Sequence, residues 1–233
     1  MLLVTRPEPD ASTTVERLGA LGLSAVAAPL FTLRPLSAPL PDGSFDAVAI
    51  TSANALRALQ GRLQPYRHLP LFAVGDRTAA LARAEGFNTV TSADGGMARL
   101  APLIAAHAPR RVLYLAGRDR TGDLAALLGP GIDTVLVEVY DMEPVPALPV
   151  EAEAMLTQGA IQAVLLYSVR AVERFVALTS PSIRRAMQAL CLSSTIAEVA
   201  RNAHFAKTNV ANASSETAMM GLALRVCGDQ KAQ

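Results

Sequence analysis

The sequence has few of the residues that mark metal, disulfide and nucleotide sites. Only two of its 233 residues are cysteines. Cys191 and Cys227 lack the C-x-x-C spacing of a zinc site and are too few for a disulfide framework. The three histidines stand alone, without a second ligand type at helical or hairpin spacing. We therefore expect no structural metal.

Lysine is also scarce, since Lys207 and Lys231 are the only two, and neither follows a glycine. No Gly-Lys-Ser/Thr phosphate loop can therefore be written, and the sequence has no G-x-G-x-x-G dinucleotide motif. The 21 basic residues are balanced by 20 acidic ones, for a net charge of +1, and no basic run occurs. We expect no nucleotide cofactor and no nucleic acid partner.

The apolar run at Met1 to Val4 is followed directly by Arg6, Pro7 and Glu8. It is far too short for a signal peptide or a membrane span. Hydrophobic residues nevertheless make up 51% of the chain and charged residues only 18%, which is ample for a buried core. We expect a folded cytoplasmic protein that does not contact a membrane.

Short aliphatic segments alternate with Ala/Leu-rich segments of helical period along the chain. Val15, Leu18 and Leu21, for example, fall on one face of a predicted helix. This alternation is typical of parallel sheets with helices on both faces. The predicted strands are Leu2 to Thr5, Ala47 to Thr51, Leu71 to Val74, Val112 to Ala116, Thr134 to Tyr140 and Ala163 to Tyr167.

A tandem repeat indicates two copies of one α/β unit. Residues 46–59 align with residues 162–175, and residues 75–87 align with residues 193–205.

Two proline-rich segments, near residues 35–41 and 144–149, interrupt the pattern and suit neither a helix nor a central strand. We interpret them as two crossings between domains. They predict a discontinuous domain of residues 1–34 plus 143–233 and an inserted domain of residues 35–142. A cleft between two such domains is the natural ligand site.

The turns after the predicted strands hold the candidate binding residues. Ligands of open parallel α/β sheets bind beyond the carboxyl ends of the strands, where helix N-termini present unpaired N–H groups. Nearly every such turn begins with Ser, Thr or Gly, and four of the six contain arginine, a combination that suits carboxylates or phosphates. The candidates are Arg6, Thr51, Ser52, Gly75, Thr78, Gly117, Arg118, Ser168, Arg170, Ser193 and Thr195.

Each turn also has an ordinary structural explanation. Ser and Thr are preferred N-caps and glycine eases tight turns, so capping alone explains any single turn. Taken together, however, such sites could each add roughly 1 kcal/mol, and up to about 3 for a charged acceptor. The pattern as a whole favours a surface that binds a polyanion without strong positive charge.

Candidates for acid–base catalysis are few. No Ser-His-Asp or Cys-His arrangement stands out, and no paired carboxylates share a helix face near the turns. Tyr140 ends a predicted strand just before Asp141 and the second proline-rich segment, which places it at the predicted hinge. A tyrosine at a strand end is more often a packing residue, so composition alone assigns it no catalytic role.

Several motifs, in their order and spacing, resemble those of the uroporphyrinogen-III synthase family. They are LLVTRP, ITSANAL, AVGDRTAALA, YLAGRD, VEVY, LLYSVRAVERF and TIAEVA. The resemblance extends over residues 3–226 and implies two similar α/β domains, each a parallel sheet flanked by helices, joined by a two-stranded linker with the active site in the interdomain cleft. It further implies that hydroxymethylbilane, a linear tetrapyrrole, loses its terminal hydroxyl as water and closes to uroporphyrinogen III with inversion of ring D, without a cofactor or metal.

The resemblance also implies roles for individual residues. Tyr140 matches the family's tyrosine and would assist departure of the hydroxyl, by proton donation or hydrogen bonding. Ile196 stands where the family often has threonine, so hydroxyl binding at that turn would depend on Thr195. Gly117 and Arg118 fall on the family's G-R-D turn. The residues expected to bind acetate and propionate side chains are Thr51, Ser52, Gly75, Thr78, Ser168, Ser193 and Thr195.

A noncatalytic two-lobed protein that senses an anionic metabolite is the alternative. It would use the same turns for capture and hinge closure for signalling, and nothing in the turns excludes it. Formation of isomer III from hydroxymethylbilane distinguishes the enzyme from the sensor. In either case we expect a monomer, because two self-sufficient lobes need no partner chain.

Overall fold

Strands and helices alternate throughout the computed structural model, which describes residues 1–120 and 122–228. The strands are β1 (Leu2–Val4), β2 (Ala25–Ala27), β3 (Phe31–Pro35), β4 (Ala47–Ile50), β5 (Leu71–Ala73), β6 (Val90–Ser92), β7 (Arg111–Gly117), β8 (Asp133–Pro144), β9 (Ala163–Leu166), β10 (Gln188–Cys191) and β11 (Lys207–Val210).

The helices mostly follow strands. They are α1 (Asp10–Ala20), α2 (Ala53–Ala58), α3 (Asp76–Ala84), α4 (Met97–Ala106), α5 (Leu124–Leu128), α6 (Val150–Thr157), α7 (Val169–Leu178), α8 (Pro181–Arg185), α9 (Ser194–Arg201) and α10 (Glu216–Cys227), with a 3₁₀ turn at Gln64–Tyr66.

The chain divides into two units, each with its own sheet. Unit 1 consists of Met1–Thr32 and Pro144–Gln233, and unit 2 consists of Leu33–Glu143. The sheet of unit 1 has the order β11-β10-β9-β1-β2, and all of its neighbouring strands are parallel. The second sheet has the order β3-β8-β7-β4-β5-β6 and is parallel from β8 to β6.

Helices cover both faces of each sheet, as the alternation of side chains along a strand requires. In unit 1, Leu3 packs with α6, α7 and α9, whereas Leu2 and Val4 pack with α1 and α10. In unit 2, Val48 packs with α2 and α3, whereas Ala49 packs with α4 and α5. Fully buried parallel strands of this kind have the continuous aliphatic composition that the sequence shows.

Strand β8 changes its partner along its length. Its first part pairs with β7 up to Gly117 and Tyr140, and its last part runs beside β3. The N–H of Leu36 donates to Val139 O at 2.9 Å and that of Val145 to Leu30 O at 3.0 Å, so β3 and β8 are antiparallel. The boundaries between the two units fall inside these two neighbouring strands, so the chain crosses between the units in two paired strands.

All six strands predicted from the sequence are present, and the α/β fold class is confirmed. The prediction that Leu21 shares a helix face with Val15 and Leu18 is wrong. The helix ends at Ala20, and Leu21 is 43% exposed because the chain turns away at Gly22, whose φ is +76°. Among residues 1–120 and 122–228, no helix combines the length and apolar composition needed to cross a bilayer.

Candidate functional site

The predicted site residues of unit 2 lie at one edge of its sheet. Thr51 and Ser52 directly follow β4, Gly75 follows β5, and Gly117 is the last residue of β7. These strands are parallel, so their carboxyl ends meet at the same edge, where helix N-termini also lie. The structure therefore brings these residues together although they are far apart in sequence.

Ser52 is an N-cap whose hydroxyl serves two partners. Its Oγ accepts the N–H of Asn54 at 3.2 Å, from an extended backbone conformation at the start of α2. This bond uses only acceptor capacity, so the O–H of Ser52 is left to donate, and its second partner is the phenol of Tyr140. Rotation of this O–H would redirect it to a ligand without loss of the cap.

Gly75 and Thr78 form the next turn of the same edge. Gly75 caps α3 without a side-chain hydrogen bond. Thr78, in the first turn of α3, is only 7% exposed. Gly75 is half-buried and is therefore more exposed than Thr78.

Tyr140 packs directly against the backbone of Gly117. The two residues are paired across β7 and β8, just after an irregularity in the strand register, and the N–H of Arg118 donates to Tyr140 O at 2.9 Å. A Cβ on residue 117 would lie 2.6 Å from Tyr140 Cζ and 2.9 Å from its Oη. Only glycine leaves room for the ring in this position.

The phenol of Tyr140 is held in its neutral form. The residue is 8% exposed, and burial raises the pKa of the phenol above its usual value, while a hydrogen bond from Ser52 acts in the opposite direction. Tyr114 and Asp119 raise the pKa further. The phenol is therefore protonated at neutral pH and able to donate a hydrogen bond, although its raised pKa makes it a weaker proton donor than an exposed tyrosine.

Tyr114 is a polar residue of this edge that the sequence did not reveal. It lies in β7, is 2% exposed, and its Oη is 3.2 Å from Thr51 Oγ1. This bond fixes the rotamer of the Thr51 hydroxyl beside Ser52. The available signal was a tyrosine within the otherwise aliphatic strand that leads to Gly117.

Arg118 is exposed, but its guanidinium already has acidic partners. Its Nε lies 3.4 Å from Glu138 Oε2 and its Nη1 lies 3.1 Å from Asp141 Oδ2. Hydrogen bonding by Arg120, followed by that of Arg118, lowers the pKa of Glu138, so this carboxylate is ionised at neutral pH. An anionic ligand would have to compete with these carboxylates for Arg118.

Two of the predicted site residues, Ser168 and Ser193, are N-caps at the carboxyl edge of unit 1. Ser168 Oγ accepts the N–H of Ala171 at 3.1 Å at the start of α7, and Ser193 Oγ accepts that of Ile196 at 3.4 Å at the start of α9. They follow the neighbouring strands β9 and β10. Thr195 is exposed one residue into α9.

The two arginines predicted in unit 1 have different surroundings. Arg170 is exposed and its guanidinium lies 4.7 Å from the centre of the Phe31 ring. Arg6 is half-buried and forms ion pairs with Asp10, at 3.0 Å, and with Glu216. Arg6 thereby connects β1 to α1 and α10, which gives it a structural role whether or not it also binds a ligand.

Arg6 also stacks on Tyr167, at 4.6 Å from the ring centre. Burial raises the pKa of this phenol, and Glu216 raises it further. Tyr167 follows β9 and directly precedes Ser168, so a second neutral phenol lies at the carboxyl edge of unit 1. Tyr167 was not among the predicted site residues.

No cluster of three or more His, Cys, Asp or Glu side chains that could hold a metal ion occurs in residues 1–120 and 122–228. Cys191 is a free, buried thiol, and burial raises its pKa to about 12. A thiol in this state is a poor nucleophile at neutral pH.

A comparison with models of protein families identifies the family of the chain. The family model described as uroporphyrinogen-III synthase HemD matches residues 12–221. None of the curated proteins matches the sequence significantly.

Solved structures with this arrangement of elements share little sequence with the chain. A uroporphyrinogen-III synthetase from Helicobacter pylori superposes with a TM-score of 0.67 at 18% identity, covering 96% of this chain and 98% of the other. A mutant uroporphyrinogen III synthase from Thermus thermophilus gives a TM-score of 0.57 at 15% identity, covering 98% and 99%. At such low identity these matches establish the fold.

Proposed function

Because the chain belongs to the uroporphyrinogen-III synthase family, we propose that it cyclises hydroxymethylbilane to uroporphyrinogen III in haem biosynthesis. The reaction removes the terminal hydroxyl as water and closes the ring with inversion of ring D, which makes the enzyme a lyase. The observation that carries the proposal is the buried, neutral phenol of Tyr140, held between Gly117 and Ser52 at the carboxyl edge of a parallel sheet. The sensor alternative gives this phenol no task.

We assign Tyr140 to departure of the hydroxyl. A phenol that stays protonated can donate its proton, or a strong hydrogen bond, to the leaving oxygen. Departure leaves an azafulvenium cation on ring A, which ring D then attacks through its substituted carbon. The product forms by way of a spiro intermediate.

The remaining catalysis is orientation. Left alone, the linear substrate closes to the uninverted isomer, so the protein must hold it in one bent conformation. Restricting a flexible reactant to one attack geometry can supply up to about 7–11 kcal/mol in the best cases. We propose that the turns of both units bind its acetate and propionate groups, through backbone N–H groups and the hydroxyls of Thr51, Ser52, Ser168 and Ser193.

The proposal also covers the domain organisation, the oligomeric state and the cellular location of the protein. We propose domains of residues 1–34 plus 143–233 and 35–142, which the division into two separately packed units supports. We also propose a cytoplasmic monomer that uses no cofactor. The separate hydrophobic cores of the units support the monomer.

The direct test is an assay that separates the two product isomers. Purified protein is given hydroxymethylbilane, generated in situ, and the products are oxidised to porphyrins and resolved chromatographically. We expect isomer III to dominate. Isomer I alone, at the rate of a protein-free control, would reject the assignment.

The role of the serine turns is tested by Ser168→Asp. Aspartate caps a helix as well as serine does, and its charge suits the helix N-terminus, so stability should be kept. A carboxylate beside an anionic substrate costs about 1–2 kcal/mol, so KM should rise about tenfold. The measurement is KM for formation of isomer III together with a thermal unfolding curve.

Ser180→Asp is the matched control. Ser180 also caps a helix, through a 3.4 Å bond from the N–H of Ile183, but α8 leads into β10 and so lies towards the amino ends of the strands. The KM of Ser180→Asp should equal that of the protein without substitutions. Equal KM values for both variants would mean that Ser168 only caps α7.

A further inference from the structure

The turn after β7 is attached to β8 by Arg120 as well as by Arg118, and Arg120 was not among the predicted site residues. A single terminal nitrogen of Arg120, Nη1, shares its two N–H groups among three acceptors, Gly117 O at 2.8 Å, Arg118 O at 3.1 Å and Glu138 Oε1 at 2.9 Å. The first two acceptors belong to the turn, and the third belongs to the neighbouring strand. Arg120 therefore holds the turn in its conformation and also connects it to β8.

Both of the points that Arg120 holds are next to Tyr140. Gly117 is the residue whose backbone lies against the phenol ring, since a Cβ there would be 2.8 Å from Tyr140 Cε2. Glu138 pairs with Ala116 and Tyr140 pairs with Gly117, so the register shift places Glu138 and Tyr140 beside consecutive residues of β7. A shift of either point would change the space available to the ring.

A contribution to the folding free energy does not explain why these contacts of Arg120 are present. The side chains of Arg120 and Glu138 are 25% and 37% exposed, and exposed ion pairs of this kind contribute little to folding. The two backbone carbonyls are different, because they belong to the turn on which the ring rests. The guanidinium of Arg120 fixes the orientation of these two carbonyls.

We propose that Arg120 is a positioning residue of the reaction, which orients the Tyr140 phenol by holding the Gly117 carbonyl and Glu138. The inference rests on the proposed function, since it assumes that this phenol assists departure of the hydroxyl. Arg120 itself need not touch the substrate. Its loss should therefore act on turnover and not on binding.

The experiment compares kcat and KM for isomer III formation in four proteins: unchanged, Arg120→Met, Tyr140→Phe and the double variant. Methionine keeps much of the length of the side chain and removes every donor. A small displacement of a reacting group costs up to about 100-fold, so Arg120→Met should lower kcat between about 10- and 100-fold, with KM changed less than about twofold. In the Tyr140→Phe background the same substitution should change kcat less than about twofold, because the phenol it orients is gone.

Whether the effect of Arg120→Met on kcat depends on the Tyr140 phenol distinguishes a positioning role from a general disturbance of the structure. A loss of kcat that is equal in both backgrounds would overturn the proposal, as would an unchanged kcat. A raised KM with unchanged kcat would also overturn it, because Arg120 would then contact the substrate. If Arg120→Met does not fold, Arg120→Lys replaces it in the same scheme, with a partial loss of kcat that again disappears in the Tyr140→Phe background.

Arg111→Met is the matched control. Arg111 begins β7 and its Nε lies 2.9 Å from Oδ2 of Asp133, the first residue of β8, so it joins the same two strands at their other ends. The kcat of Arg111→Met should equal that of the protein without substitutions.

The two ways of failing can be told apart. If the protein without substitutions forms no isomer III, the proposed function is rejected. If Arg120→Met is normally active, only the positioning role is rejected.

Discussion

Replacement of Gly117 by alanine should remove most of the activity and destabilise the protein. The added Cβ would lie 2.6 Å from Tyr140 Cζ and 2.8 Å from Cε2, and the ring is too well buried to move aside freely. Overpacking of this kind typically costs about 1–3 kcal/mol of unfolding free energy. Displacement of the phenol should lower kcat about 100-fold. Denaturant unfolding and the isomer-resolved assay measure the two effects.

Gly131→Ala is the control for this substitution. Gly131 is also in unit 2, and a Cβ there would have no neighbouring atom within 4 Å in the described part of the chain. Its unfolding free energy and kcat should stay close to those of the unchanged protein. A Gly117→Ala protein with normal kcat would show that Tyr140 does not need its observed position.

Tyr140→Phe should lower kcat markedly without preventing folding. The substitution removes one oxygen from a ring that otherwise keeps its packing against Gly117. Proton donation by a placed group contributes about 100- to 10,000-fold, so a loss in this range is expected. Some isomer III should still form, because the turns would still hold the substrate in its bent conformation. The measurement is kcat with the isomer ratio, and unchanged turnover would remove Tyr140 from the mechanism.

Tyr66→Phe provides a chemically equal control. Tyr66 is 9% exposed, its Oη donates to Pro41 O at 3.0 Å, and burial raises the pKa of this phenol too. It follows α2 and precedes β5, and so lies towards the amino ends of the strands. Loss of its hydrogen bond should cost about 0.5–1.5 kcal/mol of stability and leave kcat unchanged.

Among the described strands, composition and periodicity predicted six of the seven inner ones, missing β10, and none of the four edge strands. Strands β2 and β11 are the edges of one sheet, and β3 and β6 are the edges of the other. Edge strands are covered less completely, and these four contain no fully buried residue. They therefore lack the continuous aliphatic run that identifies a buried strand. Pro35 could end β3 because an edge strand tolerates proline.

The site was predicted where it depends on chain order and missed where it depends on contacts between strands. Thr51, Ser52 and Ser168 follow strands and precede helices, a position that sequence pattern reveals. The contacts of Tyr114 and Arg120 arise from the pairing of β4, β7 and β8, including an irregular register at Gly117. A single sequence does not contain that register, so the contacts of these residues could not be predicted, although Tyr114 stands out as a tyrosine within an aliphatic strand.

The inner position of β1 affects how the nascent chain must fold on the ribosome. β1 lies between β2 and β9, and β9 is translated only after the whole of unit 2. At roughly 5–20 residues per second, the first two strands wait on the order of ten seconds for their partner. Unit 2 is contiguous and can fold during this interval, while β1 keeps an open hydrogen-bonding edge that can pair with another chain. The yield of folded protein therefore depends on keeping the open edge of β1 from pairing with other chains until β9 has been made.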